Sequence, residues 1–331
     1  MQPKVTIYDV ANAANVSMAT VSRVMNRNPK VKQETKERVL KVIHDLNYHP
    51  NAVAQGLASK KTTTIGVILP DLANDYFANL AVGIDDIALM YNYNIIIANS
   101  SEDTEKENKI VDNLLAKQVD GIIYMGRDQT EHFQKSTKDN GTAVVLAGSV
   151  DQEGTPSVNI NYRKAICDAT SFFLKQKQKV ALVINDKNYS INSDYRIPGY
   201  QDALKKYGVS FDPNLIFEYR DNNSISNPML QDIYDSDATA AVVYSDDVAI
   251  MLLNKGFQLG KSIPDDFQII TSNNTVVTKY ARPMISSISQ PLYDIGAVAM
   301  RILTKIMNNE KVQDKQVFLD YDIIHRGSTR I

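Results

Sequence analysis

The chain has 331 residues, more than one compact core holds, so two or three domains are expected. Its 44% apolar and 22% charged residues are ordinary for a globular protein, and its single cysteine, Cys167, excludes an internal disulfide and any multi-cysteine metal site. The net charge of −2 hides an asymmetry: residues 1–61 carry ten Lys/Arg against four Asp/Glu, and the remainder carries 26 against 34. A basic head on an acidic body points to a polyanionic partner for the head. No apolar run is long enough to span a bilayer, and "MQPKVTIYDVANAA" lacks the apolar core of a signal peptide, so a cytoplasmic protein with no membrane role is expected.

The first 50 residues read as helices only. Thr6 is the expected N-cap of the first, with Asp9 at the capping-box position. A tight turn at Asn15, a residue that tolerates the left-handed conformation, leads to a second helix capped by Ser17, with Val16 and Val21 as its hydrophobic staple. Val21, Val24 and Met25 face inward on this helix. Ser17, Met18, Ala19, Ser22, Arg23 and Asn26 then face out. Small residues allow close approach to a groove, hydroxyls bind phosphates, and an arginine can grip guanine O6 and N7 together. This is a helix-turn-helix pattern; a plain three-helix bundle with a solvated face is the alternative. "TKERVLKVIHDLNY" predicts a third helix with Val39, Val42, Ile43 and Leu46 on one face, stopped by Pro50.

"PNAVAQGLASKK", Pro50 to Lys61, holds a helix of about eight residues, too short to persist alone in water and weakened by Gly56. It reads either as a hinge helix that forms on DNA, with Leu57 wedged into a minor-groove base step, or as a tether. Beyond Lys61 the pattern changes to β-branched runs: "TTTIGVILPD", "YNIIIANS", "DGIIYMG", "TAVVLAGS", "KVALVIND", "TAAVVYSDD" and "FQIITSNN". Helical stretches such as Asp75–Met90 and Glu105–Lys117 lie between them, so parallel βαβ units are expected in two sets, about 65–160 and 161–290, facing each other across a cleft. Cys167 in "AICDATSFF" reads as a small buried apolar residue. In "QPLYDIGAVAMRILTKIMNNEK" a helix from about Leu292 buries Ile295, Val298, Ala299, Ile302 and Ile306. Asp294, Ala297, Arg301, Lys305 and Asn308 form a second line that is either a solvated charged face or a grip for an anion.

Catalytic signatures are missing from the sequence. His44, His49, His132 and His325 show no metal-ligand spacing. There is no G-x-S-x-G elbow, Walker loop or G-x-G-x-x-G. Asp246 and Asp247 read more simply as a helix start than as a catalytic pair. No enzyme activity, metal or cofactor is expected.

"VTIYDVANAANVSMATVSRVMN", "YHPNAVAQGLASKKTTTIGVILPD" and the two-lobe body resemble the LacI/GalR family of bacterial repressors along essentially the whole chain. The resemblance implies an all-α helix-turn-helix headpiece (1–50), a hinge helix or linker (51–61), and an α/β two-lobe periplasmic-binding-protein-like core (62–331) of two parallel-sheet, Rossmann-like subdomains. One subdomain would take about 62–160 plus a return near 291–320, the other about 161–290 plus the C-terminal end. It also implies a nucleoid-associated homodimer on pseudo-palindromic operator DNA, with DNA roles for Thr6, Tyr8, Ser17, Met18, Ala19, Thr20, Ser22, Arg23, Asn26, Tyr48, Asn51, Ala54, Leu57 and Ala58. Family effector positions fall on Arg196, Asp246 and Asn273. Thr271-Ser272-Asn273 replaces the usual Gly-Phe-Asp there, which puts sugar binding in question because an amide accepts fewer hydroxyls than a carboxylate. "KQVDGIIYM" and "QPLYDIGAVAMR" resemble the members of the family that serve carbon catabolite control. In those the corepressor is the phosphocarrier protein HPr phosphorylated on a serine, and the resemblance implies that Tyr293, Asp294, Arg301, Lys305 and Arg326 belong to its surface or switch. Met251 stands where that group has a glycine. With the other cleft departures, it bears on auxiliary sugar-phosphate effectors more than on the HPr surface. A sugar- or nucleoside-controlled repressor is the alternative.

Overall fold

The computed structural model describes residues 5–26, 28–49, 61–150, 154–219 and 227–330. The chain forms two compact units, Met1–Thr62 and Thr63–Ile331. The short helix expected within 51–61 lies outside the described residues.

The first unit holds α1 (Ile7–Ala13), α2 (Met18–Met25) and α3 (Gln33–Asp45). Thr6 and Asp9 close the expected capping box: the Asp9 carboxylate accepts from the Thr6 N–H at 2.7 Å, and the Asp9 N–H donates to Thr6 Oγ1 at 3.4 Å. Asn15 makes the turn at φ 51°, and Ser17 caps α2. α3 stops earlier than its sequence pattern suggests. Asn47 turns left-handed at φ 47°, which returns Tyr48 to the core and leaves Leu46 exposed rather than on the buried face. That core consists of Val10, Ala11, Ala14, Val21, Val24, Val39 and Tyr48.

The second unit begins with β1 (Thr64–Leu69), α4 (Asp75–Met90), β2 (Asn94–Asn99), α5 (Thr104–Ala116), β3 (Gly121–Tyr124), α6 (Glu131–Asn140), β4 (Ala143–Ala147) and β5 (Ser157–Ile160). There follow α7 (Tyr162–Lys175), β6 (Val180–Ile184), a π-helical stretch (Ile191–Arg196) running into α8 (Ile197–Lys206), β7 (Ile216–Glu218), α9 (Pro228–Asp235), β8 (Ala240–Val243), α10 (Asp246–Gln258), β9 (Gln268–Thr271), α11 (Val277–Tyr280) and β10 (Ser286–Ser289). The chain ends with α12 (Leu292–Met307), β11 (Gln316–Leu319) and β12 (Asp322–Ile324). All seven β-branched runs are strands. β5, β7, β10, β11 and β12 were not legible as such.

Two six-stranded sheets result, in the orders β11-β5-β4-β3-β1-β2 and β12-β10-β9-β8-β6-β7. Every pairing is parallel except β10 with β12. Strands buried on both faces suit this plan: β3, β6 and β8 are buried throughout. The expected fold class is therefore observed. The first sheet defines an N-lobe and the second a C-lobe. The chain passes between them three times, after β5, after β10 and after β11.

The third-last element, α12, returns to the N-lobe and lies against α4. Its buried stripe includes Ile295, Ala299 and Ile302, with Val298 and Ile306 half-buried. Ala297 is buried too, so it drops out of the exposed line that contains Asp294, Arg301, Lys305 and Asn308. The reason is the closeness of the two helices. A Cβ on Gly83 would stand 2.0 Å from the Tyr293 carbonyl oxygen, and one on Gly296 would stand 2.0 Å from the Leu80 carbonyl oxygen. Neither obstacle is a side chain that can swing away. Replacing Gly83 or Gly296 by Ala should therefore cost about 1–3 kcal/mol by overpacking. Thermal unfolding followed by circular dichroism should show a clearly lower midpoint, and a midpoint equal to that of the unmodified chain would contradict the backbone contact.

Candidate nucleic-acid interface and inter-lobe cleft

In the head, helical spacing sorts α2 into two faces. Val21 and Val24 are buried, whereas Ser17, Met18, Ala19, Arg23 and Asn26 are exposed and Thr20 and Ser22 half-buried. Ser17 Oγ lies 3.0 Å from Thr20 Oγ1 and accepts from the Thr20 N–H at 3.3 Å. The cap thus fixes two hydroxyls side by side at the helix N-terminus, where N–H groups and the dipole favour a phosphate. Thr6 and Tyr8 are exposed at the start of α1, Tyr8 at 62%. Tyr48 is different: its ring is buried in the head core. Asn51, Ala54, Leu57 and Ala58 lie outside the described residues. The head therefore brings one run of small, hydroxylated and basic side chains to a single surface.

Between the lobes of the body is a cavity of about 520 Å³. Asn74, Tyr76 and Arg127 line it from the N-lobe, and Tyr189, Arg196, Tyr244 and Asn273 from the C-lobe. The π-helical stretch places Arg196 here. Its guanidinium is buried, donates to Asn192 Oδ1 at 3.0 Å, and lies 5.7 and 5.8 Å from the Tyr162 and Tyr244 ring centres. Its Nε has no partner. Burial pushes the guanidinium pKa below its ordinary value. A buried cation with an unused donor is suited to a ligand oxygen.

Of the other two cleft residues read from the sequence, Asn273 lines the cavity and Asp246 does not. Asp246 is buried and accepts from Thr271 Oγ1 at 2.8 Å, Asn273 N at 3.3 Å, and Thr275 N and Oγ1 at 2.7 Å each. Burial pushes its pKa up while these donors oppose the shift. Thr271 thereby finds a role within the lobe, as does Ser272, which donates to Val243 O at 2.9 Å. The cavity instead takes the neighbouring Asp247, which accepts from Asn74 Nδ2 at 3.0 Å across the two lobes. A second bridge joins Asp128, whose carboxylate accepts from Ser190 N and Oγ at 3.0 Å. Asp247, Asn74, Asp128 and Ser190 were missed, because nothing in their local spacing signals a partner more than 60 residues away. Met251 is half-buried, with its sulfur accepting from the Tyr219 hydroxyl at 3.4 Å.

On α12, Tyr293, Asp294, Arg301 and Lys305 are all exposed, and the Tyr293 hydroxyl donates to Asp86 at 3.0 Å. Arg326 stands apart, in the C-lobe after β12. Its guanidinium donates to Asn274 Oδ1 at 2.5 Å, Ile285 O at 2.6 Å and Thr278 Oγ1 at 3.3 Å. It braces the end of the chain against α11 and is not part of the α12 row. Among the described residues no group of His, Cys, Asp and Glu could hold a metal ion, and no helix is long and apolar enough to cross a membrane.

The description "bacterial regulatory proteins, lacI family" fits residues 6–51, and "periplasmic binding protein-like domain" fits residues 172–329. Catabolite control protein A of Streptococcus mutans is 51% identical over 98% of each chain. The HTH-type transcriptional regulator pepR1 of Lactobacillus delbrueckii subsp. lactis is 46% identical over 98% of each. The crystal structure of the transcription regulator CcpA of Lactococcus lactis is 42% identical, covers 81% of this chain and 99% of its own, and superposes with a TM-score of 0.77. The lac repressor dimer bound to operator and an anti-inducer superposes at 0.87 over 99% of each chain; at 22% identity this bears on the fold alone. The chain belongs to the lacI family of bacterial regulatory proteins, as a DNA-binding transcription regulator. Within that family it is similar to catabolite control protein A along its whole length.

The Asp246 network gives a direct test of the C-lobe wall. In Asp246→Asn an amide N–H₂ must face the Thr275 N–H or the Asn273 N–H, donor against donor. The substitution should destabilise the body by about 1–3 kcal/mol, read as a lower denaturation midpoint. Unchanged stability would mean that the carboxylate does not organise this wall.

Proposed function

We propose that the protein regulates carbon catabolite genes, binding pseudo-palindromic operators as a homodimer with seryl-phosphorylated HPr as corepressor. The observation that carries the reading is the outer face of α2, where small residues, paired hydroxyls and Arg23 share one surface of a basic module. Met18 and Ala19 lie where base edges would be met, and Thr6, Tyr8 and Ser17 where phosphates would be. A role for Tyr48 would run through the packing of the head, given its burial. Asn51, Ala54, Leu57 and Ala58 would supply the minor-groove contacts of the hinge.

The homodimer is supported by apolar surface on the body. Val82, Leu89 and Met90 are 53%, 73% and 72% exposed on α4. A groove of about 610 Å³ on the C-lobe is lined by Ile250, Leu253, Phe257 and Tyr280. Patches of this kind on a regulator fit subunit contact. The corepressor reading is supported by the similarity to catabolite control protein A and by the exposed row on α12. Arg301 and Lys305 would take the seryl phosphate, and Asp294 and Tyr293 would meet basic and polar groups of HPr. Arg326 would act through its brace. The partner can favour the DNA-binding state only by binding that state more tightly, and the coupling is then reciprocal.

A second reading, a small effector in the cleft, is favoured by the unpartnered Nε of Arg196. Arg127 and Arg196 together suit an anionic ligand such as a sugar phosphate, with Asn273 holding a hydroxyl; Asp246 would shape that wall from behind.

Three measurements test the proposal. Arg23→Ala should weaken operator binding by roughly 1–3 kcal/mol relative to scrambled duplex. Operator affinity should also fall steeply with salt through counterion release; equal losses on both duplexes would remove Arg23 from base reading. Seryl-phosphorylated HPr should raise operator affinity by about 5–150-fold. Arg301→Ala should lose that enhancement while keeping basal binding, and an intact enhancement would take α12 out of the corepressor site.

A further inference from the structure

A buried chain of hydrogen bonds runs beneath the cleft and touches both lobes. Gln290 lies in the crossing from β10 to α12 and is 6% exposed. Its Nε2 donates to Ser272 O at 2.6 Å and to Asn273 Oδ1 at 3.1 Å on the C-lobe wall. Its Oε1 accepts from the Tyr162 hydroxyl at 3.4 Å. That hydroxyl is also 3.3 Å from Gly148 O and 3.3 Å from the Tyr76 hydroxyl, which reaches Gly148 O at 3.4 Å. On the main chain, the Leu292 N–H donates to Gln290 O at 2.9 Å and the Ile295 N–H to Pro291 O at 2.9 Å. The residue whose side chain grips the cleft wall therefore also accepts, through its carbonyl, from the amide of the first residue of α12.

Only two hydroxyl protons serve this network, and each can rotate. In one arrangement Tyr76 donates to Gly148 O and Tyr162 donates to Gln290 Oε1. In a second, Tyr76 donates to Tyr162 and Tyr162 donates to Gly148 O, so Gln290 Oε1 loses this donor; in a third, Tyr76 donates to Tyr162 and Tyr162 still donates to Gln290 Oε1. Gln290 is held firmly in the first and third arrangements and less so in the second. Tyr76 and Asn273 both line the cavity. A cleft occupant that takes the Asn273 amide removes one of the two acceptors of Gln290 Nε2, and one that takes the Tyr76 hydroxyl leaves the Tyr162 proton to divide between Gly148 O and Gln290 Oε1.

We infer that Gln290 is a positioning residue that couples occupancy of the cleft to the first turn of α12. The coupling is internal to the body; it rests on the corepressor reading only for the identity of the partner that α12 serves. The route is short: Asn273, then the Gln290 side chain, then the Gln290 carbonyl, then the Leu292 amide. Tyr76 enters the same network from α4, the helix in backbone contact with α12.

Native-state hydrogen exchange on the full chain tests this, with neither DNA nor HPr present, so its outcome is separable from that of the regulatory proposal. Asn273→Ala imitates an occupant that captures the Asn273 side chain. It should speed exchange of the Leu292 and Ile295 amides by about threefold or more in an otherwise unmodified chain, and should have no such effect in a Gln290→Met background, as expected for residues in one network. Equal acceleration in both backgrounds, or none in the first, would overturn the inference. If Gln290→Met does not fold, Gln290→Glu, which keeps the length and an acceptor for Tyr162, completes the same cycle with the same two outcomes.

Discussion

The packing of α4 against α12 governs the body. Gly83 and Gly296 let two sixteen-residue helices meet main chain to main chain. Helices usually lie about 8–10 Å apart with side chains between them; here the spacing leaves no room for a single methyl group at either glycine. Because α12 enters directly from the β10 crossing, the contact fixes where the C-lobe chain must arrive. Because α4 carries Asn74 and Tyr76 at its start, the same contact aims those residues at the cleft. The exposed row on α12 and the floor of the cavity are thus two sides of one rigid pair.

The head solves a smaller problem with fewer means. Seven buried side chains make its core, and caps at Thr6 and Ser17 satisfy helix ends that so small a module cannot bury. Everything polar and small is left on the other side of α2. The basic charge of this unit and the shape of its exposed face act together: charge draws in a polyanion without regard to sequence, and the narrow side chains permit the approach that base reading requires.

Much of this was legible before any coordinates. β-branched runs give strands because a strand buried on both faces needs apolar side chains at every position, and caps are readable because their chemistry is local. β5 and β10 are hard to read because Ser157, Asn159, Ser286 and Ser287 interrupt the apolar pattern although all four are buried; Asn159 Nδ2 donates to Ser149 O at 2.7 Å and Ser286 Oγ lies 2.7 Å from Thr329 Oγ1. β7 and β12 are three residues each, too short for a period to register. Of the adjacent acids, the family resemblance points to Asp246 for the cleft, and local spacing cannot tell which carboxylate turns inward at a helix start; Thr275 and Thr271 decide it from 25 to 29 residues away. Helical spacing puts Ala297 with the exposed line because spacing alone does not reveal how closely a neighbouring helix approaches. The inter-lobe bridges of Asp247 with Asn74, Asp128 with Ser190 and Arg127 with Tyr189 depend on tertiary pairing alone.

The interleaving of the lobes has a consequence for synthesis. The N-lobe lacks α12 until residue 307 and one edge strand until residue 319 has been made, although its first strand begins at Thr64. Among the described residues, the head has all of its core side chains by Tyr48. On the ribosome the head can therefore finish folding while the lobe after it still waits, with one sheet edge and one helix face uncovered, for nearly the whole remaining chain. A product truncated before α12 would carry an intact head on a body unable to close its own core.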